Sequence, residues 1–387
     1  MEPLSRRTVL ESLIFAGAGL AVMPGLTWAG QGAGRELVPF EDIPEGFFVK
    51  RPGPSPFPGA TTVGIDLREI TPKTAPLDMF VVSHYNTPEV NAAAWRLTVD
   101  GLAGKPLTFT LDELKKRPRV ERTATFECGG NREQVMHRMV HNATWAGASL
   151  RSILEEAKPA REVLEAIFWG ADQGKETIRG SEYTMHFARS MSLADALASD
   201  AILAYEVAGE PLPVVHGYPV RLIVPGWYGV SNVKWLTRIE LSPRRFMGKF
   251  MARDYVTIMG RQVGDTVEWT ETSVTRQQVK SVVARVTRPS SGSGALLVEG
   301  VAYGDGAPIE KVEVQVDGGD WRPAKLDANR NPHEWTFFTY EIDRLAPGPH
   351  TVASRAVDRL GRRQPEDLSL KKSNWENNAI WTRKIRV

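Results

Sequence analysis

The chain has 387 residues, of which 42% are hydrophobic and 24% are charged, and its formal net charge at pH 7 is +2. This composition excludes an intrinsically disordered protein, and the nearly balanced charge gives no electrostatic basis for binding nucleic acid. The length is sufficient for two domains of ordinary size, each with its own hydrophobic core.

Residues 1–29 are typical of an export signal. Arg6 and Arg7 follow Ser5 and precede an apolar stretch over 13–23. Because a bilayer-spanning helix needs about 20 apolar residues, we expect a cleaved signal peptide here. The Ser-Arg-Arg order favours a twin-arginine signal over an arginine pair that occurs by chance in an ordinary secretion signal. This route exports folded proteins, which predicts a bacterial periplasmic protein that receives its cofactor before export.

Residues 30–75 are rich in Gly and Pro and are predicted to form an extended arm over the surface. Residues 76–245 mix strand and helix patterns and form the first predicted domain. A helix is predicted to begin at Thr110, whose spacing from Glu113 is that of a capping box, and a second helix ends before Pro159. Apolar runs typical of strands cover 164–172, 201–213 and 218–229. The sequence contains no GxGxxG or P-loop motif, so it does not predict a nucleotide bound at a helix N-terminus.

The pattern changes at residue 278, where strand-like segments follow one another with turn signals between them. Val312, Val314 and Val316 alternate with polar residues before an Asp-Gly turn, which indicates a strand with one buried face. We therefore predict a seven-stranded, immunoglobulin-like β-sandwich over 278–387, without a disulfide. The fold class is α+β: a mixed α/β domain, a connecting segment at 246–277, then an all-β sandwich.

Cys128, in the sequence ECGGNR, is the only cysteine. One cysteine forms no internal disulfide, and no C-x-x-C-H sequence is present to attach a haem. Cys128 is therefore either a buried structural thiol or a thiolate bound to a soft or redox-active metal. Gly129 and Gly130 leave space for a bulky ligand beside the sulfur, and Asn131 and Arg132 place donors nearby that favour a thiolate. This context favours the metal ligand.

Several polar residues adjoin the predicted strands. Arg221 heads an apolar run, and an arginine that enters a buried strand needs an anion, which is either a carboxylate or a phosphate. Lys234 is a second cation in the same stretch, whereas His84 and His216 taken singly are more typical of structural histidines. Asp172 ends an apolar strand, where ligands collect in α/β sheets, although Asp also forms turns there.

Two further features leave alternatives open. Tyr255 is either an aromatic residue packed between domains or a phenol that hydrogen-bonds a substrate or a metal-bound oxygen, and its spacing does not decide between them. His137 and His141 have the i, i+4 spacing of a helix face. They lack the glutamate of an HExxH motif, because Arg138 follows His137, so a zinc site has little support.

Together, these segments resemble the sulfite oxidase family of molybdenum enzymes over nearly the whole mature chain. ECGGNR is similar to the family's cysteine loop, FWGADQG to its strand-to-Asp segment, and the stretch at 204–236 to its pterin-binding segment. RDY, which ends at Tyr255, is similar to the segment with the active-site tyrosine. KVEVQVDGGDW and NNAIWTRKIRV are similar to the dimerisation domain, so the first domain would bind molybdopterin and the second would form a homodimer.

The resemblance implies one molybdopterin per chain, with the metal bound by the sulfur of Cys128. It implies that Tyr255 hydrogen-bonds the reacting oxygen, and Arg132 is added as a catalytic cation. The residues implied to hold the pterin and its phosphate, together with Cys128, are His84, Asp172, His216, Arg221, Asn232, Val233 and Lys234. The family's haem domain is not recognised in this chain, so we expect electrons to pass to a separate carrier such as a periplasmic c-type cytochrome.

Three positions depart from the family pattern. The family binds the sulfite dianion with arginines, whereas this chain has Val82 in FVVSH, Glu133 after the cysteine loop, and no arginine near Asn374. A carboxylate beside a dianion would repel it. The family resemblance predicts sulfite as the substrate, and these three residues weaken that prediction.

Three arginines elsewhere, Arg122, Arg132 and Arg138, are candidates for restoring the lost charge. The expected function is that of a periplasmic enzyme that oxidises sulfite or a related sulfur compound by oxygen-atom transfer and passes two electrons to an external carrier. The alternative is an S-oxide or N-oxide reductase with the same cofactor, which the loss of anion-binding arginines favours. A cofactor-free periplasmic binding module is the alternative from another class.

Overall fold

The computed structural model describes residues 34–43, 62–292, 294–328 and 331–387. The predicted signal peptide at 1–29 lies outside these ranges, as does part of the predicted arm. Within them, no helix combines the length and the apolar character that a membrane span requires.

The helices of the described ranges are short and begin where local capping signals stand. The α-helices are Leu111–Lys115, Leu150–Ala157, Leu193–Ala198 and Lys249–Ala252. The 3-10 helices are Leu67–Glu69, Pro76–Asp78, Glu133–Val135, Val214–His216 and Gly229–Ser231. Thr110 Oγ1 accepts a hydrogen bond from the Glu113 amide at 3.1 Å, and the Glu113 carboxylate accepts one from the Thr110 amide at 2.8 Å. This reciprocal pair confirms the predicted capping box.

Two five-stranded sheets form the first part of the molecule. One has the order Leu107–Phe109, Leu97–Gly101, Leu236–Ser242, Glu165–Ile178 and Ser181–Ser192. The other has the order Glu210–Pro211, Ile202–Val207, Val140–Ser149 and Arg119–Glu127, with Arg221–Ile223 also paired to Ile202–Val207. Thr62–Val63 and Val81–Val82 form a separate pair. Helix Leu150–Ala157 buries Leu150, Ile153 and Leu154 in the common core.

Two packed sheets form the C-terminal part. The first contains Arg35–Leu37, Lys280–Pro289, Leu296–Tyr303, Thr336–Ile342 and Lys325–Leu326. The second contains Arg322–Pro323, Ile309–Val316, Pro349–Asp358 and Thr382–Arg386. The predicted α+β class with a β-sandwich is confirmed. The two sheets contain nine described strands instead of the predicted seven: six longer strands, two strands of two residues each, and one N-terminal strand.

The strand Ile309–Val316 follows the predicted alternation only in part. Val312 and Val314 are buried in the sandwich core, and Val316 packs against its edge. Glu313 should point to solvent, yet it is 8% exposed. Its carboxylate accepts a hydrogen bond from Arg355 at 2.8 Å. The ion pair covers the polar face of this strand.

The described residues of the predicted surface arm take part in the fold. Arg35–Leu37 pairs antiparallel with Lys280–Pro289 as an edge strand of the sandwich. Leu67 is fully buried, and Ile65 and Ile70 are also buried. Unpaired sheet edges and exposed apolar side chains are both unfavourable. This segment pairs with the edge of strand Lys280–Pro289 and buries its own apolar side chains.

The predicted connecting segment, 246–277, is an ordered element. Helix Lys249–Ala252 leads to Tyr255, and the chain then forms a hairpin of Val256–Val263 and Thr266–Ser273. Lys371–Lys372 pairs with the hairpin's first strand. Tyr255 is thereby fixed at the point where the first part of the molecule meets the hairpin.

Candidate active site

Most of the residues predicted from the sequence meet at one cavity. It contains about 640 Å³ of empty space, counting its open mouth. The predicted residues that line it are His84, Cys128, Asp172, His216, Arg221, Asn232, Lys234 and Tyr255.

Two predicted site residues do not line the cavity. Val233 is fully buried in the core, and its carbonyl accepts a hydrogen bond from the Leu222 amide at 2.8 Å. Arg132 is half-buried, and its guanidinium contacts the carbonyl of Asn374 at 3.5 Å. Arg132 does not line the cavity, but its charge is close enough to oppose the rise in the pKa of Cys128, so its catalytic role stays a prediction.

Cys128 follows the end of strand Arg119–Glu127 directly. Its amide donates to the carbonyl of Met139 at 3.0 Å, and its carbonyl accepts from the Asn131 amide at 2.9 Å, so both sides of the loop are tied. Cys128 is only 8% exposed. Burial raises the pKa of its thiol to about 11, and a bound metal ion would reverse this because a coordinating thiol loses its proton.

Asn131 closes the loop and does not serve the sulfur, contrary to our expectation. Its amide nitrogen donates to the Glu127 carboxylate at 3.0 Å and to the carbonyl of His137 at 3.1 Å. Its amide oxygen accepts from the Met139 amide at 3.0 Å. All of its side-chain hydrogen-bonding atoms therefore bind within the loop and its return strand.

The two glycines after Cys128 allow aromatic rings to approach. A Cβ on Gly130 would lie 3.1 Å from the Trp375 ring and 4.0 Å from the sulfur of Cys128, and a Cβ on Gly129 would lie 3.4 Å from the Tyr255 ring. The Tyr255 and Trp375 rings stack with centroids 4.1 Å apart. The glycines therefore admit this aromatic pair as well as leaving space beside the sulfur.

Tyr255 and His84 form a buried pair at the cavity wall. His84 Nε2 lies 2.6 Å from the Tyr255 hydroxyl. Burial, followed by the charges of Lys234 and Arg189, lowers the pKa of His84 to about 3. Burial also raises the pKa of Tyr255 well above its ordinary value. At neutral pH the imidazole is therefore uncharged and the phenol keeps its proton.

Arg221 is a buried cation that finds no carboxylate among the described residues. It donates to the carbonyls of His216 and Asn232, each at 3.0 Å, and its guanidinium lies 4.9 Å from the Trp145 ring. Burial lowers its pKa to about 9, so it remains charged at neutral pH. A buried charge needs a counter-charge, and the predicted phosphate would supply it.

Lys234 extends this positive end of the cavity. Its ammonium donates to Ser83 Oγ at 2.8 Å and to the carbonyl of Val215 at 2.9 Å. Burial lowers its pKa, and the charge of Arg221 lowers it further, while Asp172 opposes the shift. Burial raises the pKa of Asp172 in turn. An anion bound here would favour the charged form of the lysine.

The unsatisfied polar atoms of the cavity provide a test of whether molybdopterin fits. Buried atoms without a hydrogen-bond partner include Asp172 Oδ1, Arg221 Nε and both ring nitrogens of His141. Buried polar groups are nearly always paired in native proteins. A ligand with a polar ring edge and a phosphate would satisfy them, so these residues, with Cys128 for the metal, fit the cofactor.

His137 and His141 do not share a helix. His141 lies in strand Val140–Ser149, and His137 precedes it in a turn with φ of 49°. Among the described residues, no group of three His, Cys, Asp or Glu side chains could hold a metal ion. The i, i+4 spacing was therefore misleading, and only His141 reaches the cavity.

None of the three positions at which the family carries an arginine places a cation in the cavity lining. Val82 lines the cavity, whereas Glu133 and Asn374 are exposed. The acidic side chain that we expected to repel a dianion therefore lies outside the cavity lining.

The arginines that could compensate are engaged elsewhere. Arg122 pairs with Asp200 at 3.0 Å, and Arg138 contacts the carbonyl of Gly64 at 3.4 Å. Neither lines the cavity. Arg189, a buried arginine that sequence reasoning missed, places a positive charge near Tyr255.

Arg189 lies in strand Ser181–Ser192 and is 1% exposed. It donates to the carbonyls of Phe250 and Val274, on either side of Tyr255. The sequence did contain a signal, an arginine within an apolar strand, which is the same signal that identified Arg221. Its charge lowers the pKa of Tyr255, which opposes part of the effect of burial.

Comparison with protein families agrees with this geometry. Residues 84–250 match the model described as "Oxidoreductase molybdopterin binding domain". Residues 270–387 match the model described as "Mo-co oxidoreductase dimerisation domain". Fold and site together define a molybdopterin-binding oxidoreductase with a second, dimerisation-type domain.

The chain is also similar to individual proteins. It is 32% identical over 316 residues to sulfite oxidase of Gallus gallus, covering 75% of this chain and 67% of that protein. It is 31% identical over 318 residues to mitochondrial sulfite oxidase of Homo sapiens, covering 75% of this chain but 57% of that protein. The crystal structure of the sulfane dehydrogenase SoxCD from Paracoccus pantotrophus superposes with a TM-score of 0.73 at 25% identity, over 100% of this chain and 99% of that one.

The chain belongs to the sulfite oxidase family of molybdopterin-dependent oxidoreductases. It is a molybdenum oxidoreductase, and its cofactor is molybdopterin with bound molybdenum. The chain spans between about half and two thirds of the length of the sulfite oxidases that it matches.

Proposed function

We propose that this protein is an exported enzyme that oxidises sulfite or a related sulfur compound and passes the electrons to an external carrier. The observation that carries the proposal is that Cys128 and Tyr255 line one cavity together with Arg221, a buried cation without a carboxylate partner among the described residues. The sulfite oxidases and the sulfane dehydrogenase to which the chain is similar support a sulfur substrate.

The residues present would each contribute a defined step. Bound in the cavity, molybdopterin would supply a metal capable of two-electron oxygen-atom transfer. Cys128 would bind the metal, and Arg221 and Lys234 would neutralise the phosphate. When His84 Nε2–H donates to the Tyr255 hydroxyl oxygen, the phenol proton is directed to the substrate. Because this phenol does not ionise near neutral pH, it would act as a hydrogen-bond donor throughout turnover.

The proposed location and partners follow from other features. The Arg6-Arg7 signal supports export by the twin-arginine machinery to the periplasm. A metal bound to the sulfur of Cys128 would protect this thiol from oxidation there. A periplasmic c-type cytochrome is the proposed electron acceptor. The C-terminal match to a dimerisation domain supports a homodimer.

A reductase of neutral S-oxides or N-oxides is the second candidate. The observation that favours it is Val82, a neutral cavity residue at a position where the family carries an arginine. The cations that do line the cavity, Arg221 and Lys234, lie at the end assigned to the phosphate. A neutral substrate would need no further cation beside the metal.

Steady-state assays of molybdenum-loaded protein distinguish the two candidates. We expect sulfite to reduce cytochrome c, and methionine sulfoxide to oxidise a reduced dye much more slowly. Tyr255→Phe should lower kcat by about 10- to 100-fold, as expected when one hydrogen bond that favours the transition state is lost. Activity with methionine sulfoxide alone would reverse the assignment.

A further inference from the structure

Lys280 connects the sandwich to the loop that carries Cys128. It is the first residue of strand Lys280–Pro289, and it is fully buried. Its ammonium donates to the Glu127 carboxylate at 2.5 Å, to the carbonyl of Asn377 at 2.7 Å, and more weakly to the carbonyl of Asn131 at 3.4 Å. The acceptors include the residue that precedes Cys128, so the C-terminal domain reaches the metal loop through a charged group.

The Glu127 carboxylate is shared between the two domains. The oxygen that accepts from Lys280 also accepts from the side-chain amide of Asn131, at 3.0 Å. Glu127 and Asn131 stand on either side of Cys128 in the chain, so this one oxygen holds both ends of the loop. The amide of Glu376 adds a second tie from the C-terminal domain, because it donates to the carbonyl of Gly129 at 2.8 Å.

Glu127 and Lys280 place opposite charges close to Cys128. A thiolate at Cys128 and the carboxylate of Glu127 are adjacent anions, and Lys280 is the cation that contacts this carboxylate. Two charges a few ångströms apart in a dry site interact strongly. The ammonium therefore offsets repulsion that would otherwise oppose the thiolate, in addition to fixing the loop.

We propose that Lys280 is a positioning residue of the molybdenum site, which holds the Cys128 loop from the sandwich and places a buried positive charge beside the metal ligand. The C-terminal domain is then a working part of the active site as well as a dimerisation module. The proposal depends on the cofactor and not on the proposed substrate, so it can fail or succeed independently of sulfite oxidation.

The test compares Lys280→Met with a matched control on the same strand. Arg285 is buried and pairs with Glu299 at 2.9 Å, so Arg285→Met also breaks a buried ion pair but leaves the Cys128 loop intact. Three quantities are measured in the full chain: molybdenum per protein, the electron paramagnetic resonance spectrum after partial reduction with dithionite, and the alkylation rate of the single thiol in cofactor-free protein.

We expect Lys280→Met to lower molybdenum content about tenfold, in line with other residues that support a metal ligand, and to shift the resonance spectrum. Alkylation of Cys128 should become faster, because the loop loses a tie. Arg285→Met also destabilises the fold but leaves the Cys128 loop tied, so it should change these quantities much less than Lys280→Met does. An equal change in both variants would overturn the proposal, since it would then reflect general loss of stability.

A second variant separates the effect of the lost charge beside Cys128 from a general effect on folding. Lys280→Met combined with Glu127→Gln removes both members of the pair and keeps an amide oxygen for Asn131, so no unpaired charge stays buried. This variant should fold and still show the shifted spectrum. Full molybdenum content together with an unshifted spectrum in the double variant would overturn the proposal.

Discussion

The cavity and the sandwich treat buried arginines in opposite ways. In the sandwich, Arg285 and Arg383 each pair with a carboxylate at 2.9 Å. Beside the cavity, Arg189 and Arg221 donate to backbone carbonyls, and neither has a carboxylate partner among the described residues. Burying a charge is costly unless it is compensated. The sandwich compensates its charges from within the chain, whereas the cavity needs a ligand to do so.

Several neutral polar groups follow the same division, although the buried hydroxyl of Tyr303 in the sandwich also has no hydrogen-bond partner among the described residues. In the sandwich, the hydroxyl of Ser281 donates to Gln364 at 2.8 Å and lies 3.0 Å from the hydroxyl of Ser354. In the cavity, Asp172 Oδ1 and both ring nitrogens of His141 have no partner in the described structure. The unsatisfied polar atoms of residues that line the cavity are placed where a bound ligand could satisfy them.

The largest expected effect that tests this comparison is at the metal ligand. Cys128→Ser should lower molybdenum per protein at least about 100-fold, because a hard hydroxyl replaces a soft thiolate. The melting temperature of the cofactor-free chain should move by only a few degrees. Metal analysis and thermal melts measure the two effects. A serine variant with wild-type molybdenum content would show that the cavity is not held by this sulfur.

Replacing one arginine of each region by methionine should lower stability in the sandwich and cofactor binding at the cavity. In cofactor-free protein, Arg285→Met leaves Glu299 buried without its partner and should lower the free energy of unfolding by about 3–5 kcal/mol. Arg221→Met removes an uncompensated charge and should change it by no more than about 1 kcal/mol. Urea unfolding gives both values, and only the second variant should lose cofactor. Equal destabilisation would remove the distinction between the regions.

The stability of the cofactor-free protein should depend on pH through the cavity histidines. Burial lowers the folded-state pKa of His84 and His216 to about 3, from 6.5. The unfolded chain therefore binds a proton below pH 6.5 and the folded chain does not. The stabilisation is fully present above pH 6.5 and is lost as pH falls toward 3, by about 1.4 kcal/mol per pH unit for each histidine. His216→Gln should reduce the measured slope by one such increment.

His350 in the sandwich serves as a control, because its contribution to stability should depend on pH in the opposite direction. Asp317 raises its pKa through a contact of 2.7 Å. Its contribution to stability is therefore present below the unfolded pKa and is lost as pH rises through the higher folded value. His350→Gln should reduce stability at low pH and leave it unchanged at high pH. A lower stability of this variant above the folded pKa would contradict the assignment.

The smallest expected effect concerns two buried histidines, His141 in strand Val140–Ser149 and His137 in the turn before that strand. His141→Leu should reduce retained pterin by about 2- to 10-fold, the equivalent of one hydrogen bond. His137→Leu should leave it unchanged, because His137 packs against Trp381 at 4.7 Å and does not line the cavity. Fluorescence of the released, oxidised pterin measures the retention. Equal losses in both variants would mean that His141 acts through the fold alone.

The features that the sequence predicted well depend on neighbours along the chain. The capping box at Thr110, the helix that ends before Pro159, and the alternation of Val312 and Val314 all follow from local spacing. Arg221 was predicted from a single physical rule, that an arginine in an apolar strand needs an anion. The family resemblance supplied most of the other cavity residues.

The features that were missed depend on contacts between distant parts of the chain. Lys280 and Glu127 are 153 positions apart, and no local pattern connects them. The side chain of Asn131 was expected to face the sulfur, yet it closes its own loop. The guanidinium of Arg132 turns toward Asn374. Spacing reports which residues are adjacent but not which direction a side chain takes at the end of a strand.

The pairing of the first described strand has a consequence for the order of folding during synthesis. Arg35 bonds Thr287, 252 positions further along, and Phe40 bridges to Ile385. The early segment leaves the ribosome long before its partners exist, so it must wait in an unpaired state until the last strand has emerged. A chain that ends before residue 382 would therefore lose contacts near residue 40, at the opposite end of its sequence, as well as its pairing with strand Pro349–Asp358.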